Sequence, residues 1–248
     1  MIAAIAGGLA MSWLRQILAE TAFQALLWSA VTIGFYGGAK RIYRRWPRWW
    51  LMPLTITPVL IAAAVLSLHA SYHDYIRGTK WLVLLLGPAT VAFAIPIYEQ
   101  RGLIRRHWPV LLVGILAGSL TAIASSWALA TLVGLDGSLR LSLLPRSIST
   151  PFAMEVSGDI GGIPDLTAVF VIVTGIAGAV IGDMILARIP FASALARGAL
   201  FGVGAHGAGT ARAHQIGHTE GAVAGLVMVL VGLLNVLVAP LIAHLMRL

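Results

Sequence analysis

Three clusters of residues in this chain could do chemistry, and each sits among apolar neighbours. The first is PRSISTPFAME (145–155), with Arg146, Ser147, Ser149 and Thr150 ahead of Pro151 and Glu155. A guanidinium presents a planar fork of donors that suits a carboxylate. Hydroxyls, and the amino end of a helix beginning near Pro151, would add donors and a positive dipole end. Together they could hold a small organic anion. The plainer alternative is that Arg146 reaches the lipid headgroups while the hydroxyls cap a helix. Glu155 follows an apolar Phe-Ala-Met run and could carry a proton or bind a cation, or it could pair with Arg146 or cap a neighbouring helix.

The second cluster is GVGAHGAGTARAH (202–214), in which Gly204, Gly207 and Gly209 surround His206 and precede Thr210. Glycines permit close backbone approach and unusual torsions. Small residues also serve helix packing with no site at all. Packing alone would not require a histidine among the glycines, which favours a broken helix. Such a break would offer His206, Gly207 and Thr210 to a substrate, with His206 as a second proton-exchanging group. No strand precedes this segment, so it is not a dinucleotide fingerprint. The third cluster, GPATVAFAIP (87–96), reads as a kinked helix in which Thr90 either contacts substrate or bonds back to its own helix. Pro88, Pro145, Pro151, Gly204 and Gly209 are the expected structural breaks.

Other candidates carry less. His214 and His218 lie four apart with Glu220 beyond, but Gly217 weakens the helix that would align them and no third ligand is evident, so no metal is expected. Asp183 sits near a span end with Arg188 as its default partner. No Ser/His/Asp array has convincing spacing, so neither a catalytic residue nor a cofactor is expected.

The elements that must position these residues are built for lipid. Of 248 residues, 59% are hydrophobic and 10% charged, with mean hydropathy +0.91. Soluble domains are about 45–50% apolar and about a quarter charged. The chain is therefore polytopic in a membrane. It has no cysteine, which excludes disulfides and thiol chemistry. The net charge of +8 comes in short clusters between apolar runs, KRIYRRWPRWW (40–50) foremost, then Arg101, Arg105 and Arg106. Cations beside tryptophan and tyrosine mark a cytoplasmic interface with its aromatic belt, and not a nucleic-acid surface. The opening MIAAIAGGLAMSWLRQ lacks the basic start of a secretory signal and reads as part of the mature protein.

A span needs about 20 apolar residues. Stretches 17–39, 81–98, 108–134, 166–187 and 220–246 qualify cleanly, while 50–69, 141–157 and 191–213 are interrupted by proline or glycine. Broken segments of that kind mark binding sites in secondary transporters. MPLTIT (52–57) is similar to LPRSIS (144–149), and LLLGPATVAFAIPIYEQ (84–100) to LFGVGAHGAGTARAHQI (200–216), suggesting halves at about 50–134 and 141–246 within one domain, 1–248. If 141–157 dips in and returns, the basic loops at 40–48, 101–107 and 188–197, with Arg247, all face the cytoplasm and the repeat is inverted. If it spans fully, the repeat is parallel. The re-entrant version is favoured, because irregular backbone at membrane depth is tolerated where protein buries it. The expected fold class is all-α: a polytopic inner-membrane helical bundle with broken or re-entrant helices and an inverted repeat.

LGPATVAFAIPIYEQ, LPRSISTPFAMEVSGDIGGIPDLTAVFVIVTGIAGAVIG, and ARGALFGVGAHGAGTARA with the following HTEGAVAGL resemble the LrgB/CidB family, from about residue 50 to the C-terminus. They are also similar to the C-terminal half of the plastidial glycolate/glycerate transporter. The resemblance implies a multi-pass protein of the bacterial inner (cytoplasmic) membrane, with an LrgA/CidA-type membrane partner and a homodimer. Pro145, Ser149, Thr150, Pro151 and Glu155 fall on the family's first block, and Gly204, His206, Gly207, Gly209 and Thr210 on its second. Asp183 departs from the pattern, since relatives tend to have an apolar residue or proline there. Members of the family are variously described as antiholin-like, as regulators of murein hydrolase, or as transporters of small monocarboxylates.

The expected function is therefore secondary transport of a small monocarboxylate (pyruvate, acetate, glycolate or glycerate class), coupled to protons through alternating access. The alternative is a holin- or antiholin-like pore, or a regulator of murein hydrolase activity and lysis. A pore would show a broad polar stripe, whereas the polar residues here sit in compact broken segments.

Overall fold

A computed structural model describes residues 2–245, with side-chain surroundings for 22–241, 243 and 244. Among the described residues every regular element is helical. The topological expectation for Arg247 lies outside them. The chain divides into two compact units, 1–86 and 87–248.

The first unit contains α1 (Ile2–Arg45), a short 3-10 turn (Trp49–Leu51), α2 (Pro53–Ser67) and α3 (Tyr72–Leu84). Proline opens α2, where its missing N–H costs nothing. Ser71 and Asp74 cap α3 reciprocally, each side chain taking the other's backbone N–H. Helices α1 and α3 meet through Gly78, where a β-carbon would stand 2.7 Å from the Gln24 carbonyl oxygen. That contact is tied by polar bonds. Trp81 Nε1 donates to Ser29 Oγ at 2.7 Å, and Trp28, 1% exposed, meets Tyr75 edge-on at 5.6 Å.

The second unit begins in α4 (Leu86–Ala92) and continues with α5 (Ala94–Glu99), α6 (Arg101–Leu132), α7 (Gly137–Leu143), α8 (Thr150–Ile160), α9 (Pro164–Arg188), α10 (Ala194–Ile216) and α11 (His218–Leu245). Helix α6 kinks at His107, two residues before Pro109, whose ring opposes continuous helix. Leu144, Ile148, Phe152, Val156, Val171, Val223 and Val227 form the main apolar core.

Four stretches are long and apolar enough to cross a membrane: Tyr72–Glu99, Arg101–Leu132, Pro164–Arg188 and His218–Leu241. The protein is a multi-pass membrane protein with an all-α fold. The expected span at 17–39 lies within α1 and begins outside the residues whose surroundings are described.

The segment 137–163 folds back on itself. Helices α7 and α8, of 7 and 11 residues, are each too short for a span of about 20 residues. Ser142 at the end of α7 accepts from the Ile163 N–H at 2.7 Å, so the chain entering the hairpin lies beside the chain leaving it. Thr167 Oγ1 donates to the Ser142 carbonyl at 2.9 Å and lies 2.7 Å from the Ser157 hydroxyl. Gly161, at φ 90°, ends α8 in the left-handed conformation that glycine adopts without steric cost.

Candidate functional site

The two interrupted segments meet. Ser147, in the turn before α8, donates its hydroxyl to the Val203 carbonyl at 3.2 Å, three residues before the break in α10. A broken helix leaves carbonyl groups without their usual donors. One side chain from the first segment thus satisfies the second. Thr210 does the same within α10, donating to the His206 carbonyl at 2.9 Å.

The break itself is at His206, with φ 36° and ψ −118° inside an otherwise helical run. A non-glycine residue in this region costs about 1–3 kcal/mol and persists only where its surroundings impose it. Here those surroundings are tight. His206 is buried against Gly175, where a β-carbon would stand 2.6 Å from the imidazole Cε1. The Val171 carbonyl accepts a hydrogen bond from the ring, while Nε2 is buried without a partner.

Glycines on α9 bring α10 this close. A β-carbon at Gly178 would collide with the Gly204 carbonyl, and one at Gly182 would stand 2.6 Å from the Phe201 ring. On its other side α10 packs on α11, where Gly202 faces the Ala224 carbonyl. Small residues at such spacing let helix backbones approach without a bulky ridge between them.

Arg146 points from the hairpin toward α6 and α9. Its Nε donates to Ser126 Oγ at 2.9 Å, and its terminal nitrogens reach Thr174 Oγ1 and Ser125 Oγ at 3.4 Å each. The residue is half-buried, and among the described residues no carboxylate pairs with it. A half-buried cation held only by neutral hydroxyls keeps most of its attraction for an anion. It lines a cavity of about 230 Å³ together with Thr174, Gly178, Gly182, Leu200 and Gly204. Ala177, Ile181 and Ile185 complete a largely apolar lining, to which α10 contributes Leu200 and Gly204, ahead of its break at His206.

Ser149 is the N-cap residue of α8, yet its side chain makes no capping bond and its buried Oγ has no partner. Thr150 and Pro151 open the helix, and Pro145 is buried in the preceding turn. Gly207 is open at its β position, whereas Gly209 presses on the Phe201 carbonyl. Of the residues expected to hold substrate or exchange protons, Arg146 alone lines the cavity; Ser147, Ser149, Thr150, His206, Gly207 and Thr210 lie outside its lining, as do Glu155 and Thr90. Glu155 is exposed on α8, and Thr90 is half-buried on α4, where Pro88 lies near the helix start.

Some of the remaining charged residues form ion pairs. Asp183 does not pair with Arg188. Arg212 reaches both its carboxylate oxygens through Nε, at 2.8 and 2.9 Å, because the α9–α10 packing brings α10 alongside. Arg188 turns instead to the Met184 carbonyl. Arg197 and Glu220 join the starts of α10 and α11 at 2.7 Å. The rings of His214 and His218 lie 6.3 Å apart, and no group of three metal-ligating side chains forms among the described residues.

Sequence reasoning did not anticipate Ser125, Ser126, Thr174 or Gly175. The available signal was a pair of adjacent serines in the middle of the apolar α6, and a Thr-Gly step in the middle of α9.

Comparison with known proteins adds to this geometry. The LrgB-like family profile matches residues 32–245. The chain is 38% identical over 216 residues to the Bacillus subtilis protein YwbG, covering 87% of this chain and 96% of that one. It is 30% identical to the holin-like protein CidB of Staphylococcus aureus, over 88% of this chain and 96% of the relative. It is 30% identical to the antiholin-like protein LrgB of Bacillus subtilis, over 87% and 94%. No solved structure matches.

Proposed function

We propose that this chain, which belongs to the LrgB-like family, controls the passage of a small organic anion across a bacterial inner membrane. Arg146 is the anchor. Its guanidinium, half-buried and balanced only by the hydroxyls of Ser125, Ser126 and Thr174, is the single observation that carries the reading. A monocarboxylate of the pyruvate, acetate, glycolate or glycerate class matches that charge and the size of the adjoining cavity. Ser149 Oγ and His206 Nε2, both buried without partners, are the atoms available to a second hydrogen-bonding group or to a proton.

In the carrier form of this proposal, anion and proton move together, and the α10 break rearranges to expose the cavity to either side in turn. His206 exchanges the proton, and Glu155 receives it where α8 is exposed.

A second reading rests on the relatives' names, holin-like CidB and antiholin-like LrgB, and on that basis it is the better supported of the two. In that reading the protein is a pore, or regulates one, and acts on murein hydrolase activity and lysis with an LrgA/CidA-type partner or as a homodimer. The anion site then gates the pore. Purified protein in liposomes separates the two. A carrier gives saturable, pH-dependent uptake of pyruvate, glycolate or glycerate with no release of trapped dye. Dye release by the protein alone favours the pore, and absence of any pH-dependent anion flux sinks the carrier.

A further inference from the structure

The cationic end of α1 is the largest basic cluster in the chain. Lys40, Arg41, Arg44, Arg45 and Arg48 fall within nine residues, and all are exposed. Between Glu20 and Asp74 the sequence contains no acidic residue, and Asp74 is itself engaged by the Ser71 backbone and hydroxyl. In the second unit three arginines find carboxylates, Arg140 with Asp136, Arg197 with Glu220 and Arg212 with Asp183, while the smaller basic group Arg101, Arg105 and Arg106 forms no ion pair among the described residues. None of the five at the end of α1 forms an ion pair among the described residues.

Their placement makes this costly for the protein alone. Lys40 with Arg44, and Arg41 with Arg45, are like charges at i,i+4 on one face of a helix, a spacing that destabilises an isolated helix. The helix dipole favours cations only in the last turn, which accounts for Arg44 and Arg45 but not for the others. Three exposed tryptophans flank the stripe. Trp46 is 57% exposed, Trp49 and Trp50 stack edge-to-face at 5.5 Å, and the Arg48 guanidinium lies 5.2 Å over the Trp50 ring. Indole rings prefer the headgroup level of a bilayer, and basic residues grouped beside a membrane helix attract anionic headgroups.

We propose that Lys40–Trp50 is a binding site for anionic phospholipid headgroups, in which the phosphate supplies the countercharge the chain lacks and the tryptophans fix the depth. This site is independent of the Arg146 cavity and stands whichever transport reading holds.

Native mass spectrometry of the purified full-length protein, taken from nanodiscs mixing phosphoglycerol and phosphocholine lipids, tests it. The wild type should retain phosphoglycerol lipid selectively, with retention falling as salt rises. Arg44→Gln with Arg45→Gln should weaken that retention by about tenfold or more, given the attraction of each cation near an anionic surface. Arg44→Lys with Arg45→Lys should preserve it. Because loss of charge could also disturb membrane insertion, the wild-type lipid preference and its salt dependence are a test in their own right. Equal retention of the two lipids by wild type would overturn the proposal. So would full displacement of the lipid by millimolar inorganic phosphate, which would make this a site for the free ion.

Discussion

The imidazole of His206 lies on the bare backbone of Gly175, in space that a methyl group would fill. That pairing explains how a histidine can sit at φ 36° in the middle of α10. The ring's seat exists because residue 175 has no side chain. Gly175→Ala should therefore push the ring off Val171 and cost about 1–3 kcal/mol through overpacking. Thermal unfolding of the detergent-solubilised variant checks the stability, and liposome flux should fall with it. A variant as stable and as active as wild type would mean that the seat is not needed.

His206→Gly separates the backbone from the ring. Glycine adopts positive φ without strain, so the melting temperature should stay at or above that of wild type while anion flux drops. His206→Val should lower stability, since a β-branched side chain is poorly accommodated at that torsion. Undiminished flux in the glycine variant would remove the imidazole from the mechanism.

Arg146→Gln should reduce the affinity for a small carboxylate by about 10–100-fold, the range expected when a charge-assisted hydrogen bond worth roughly 1.5–3 kcal/mol is lost. Arg146→Lys should fall between the two, because an ammonium keeps the charge but cannot reproduce the planar fork that meets three hydroxyls. The concentration dependence of flux measures both. Identical affinities for wild type and the glutamine variant would exclude Arg146 as the anchor.

Glu155 is exposed on α8, so Glu155→Gln should leave the melting temperature unchanged. If the carboxylate accepts the coupled proton, the variant loses the pH dependence of flux while keeping the fold. Wild-type pH dependence in Glu155→Gln would leave His206 as the proton-exchanging group.

Arg197 and Glu220 bind the amino-terminal ends of α10 and α11, with Glu220 buried and Arg197 also holding the Phe191 carbonyl. Glu220→Leu should lower thermal stability more than Glu220→Gln, because glutamine retains an acceptor for the guanidinium and leucine strands it. Equal losses would indicate that packing, and not the pair, holds this end.

Much was legible in the sequence. Composition alone determined a multi-pass helical membrane protein, since a chain so apolar cannot stay soluble and only helices or closed barrels satisfy the backbone in lipid. Pro145 and Pro151 announced the break ahead of α8, and the glycines around His206 announced the break in α10, because those residue types forbid or relax regular torsions wherever they occur. The contacts were not legible. That Ser147 caps Val203, that Arg146 takes its hydroxyls from α6 and α9, and that Asp183 turns to Arg212 instead of the nearer Arg188 depend on which helix faces lie together. Apolar helices that meet in lipid carry little periodic signal to say so. Local torsions follow from local residues, but partners follow from packing, and only the tertiary structure decides that.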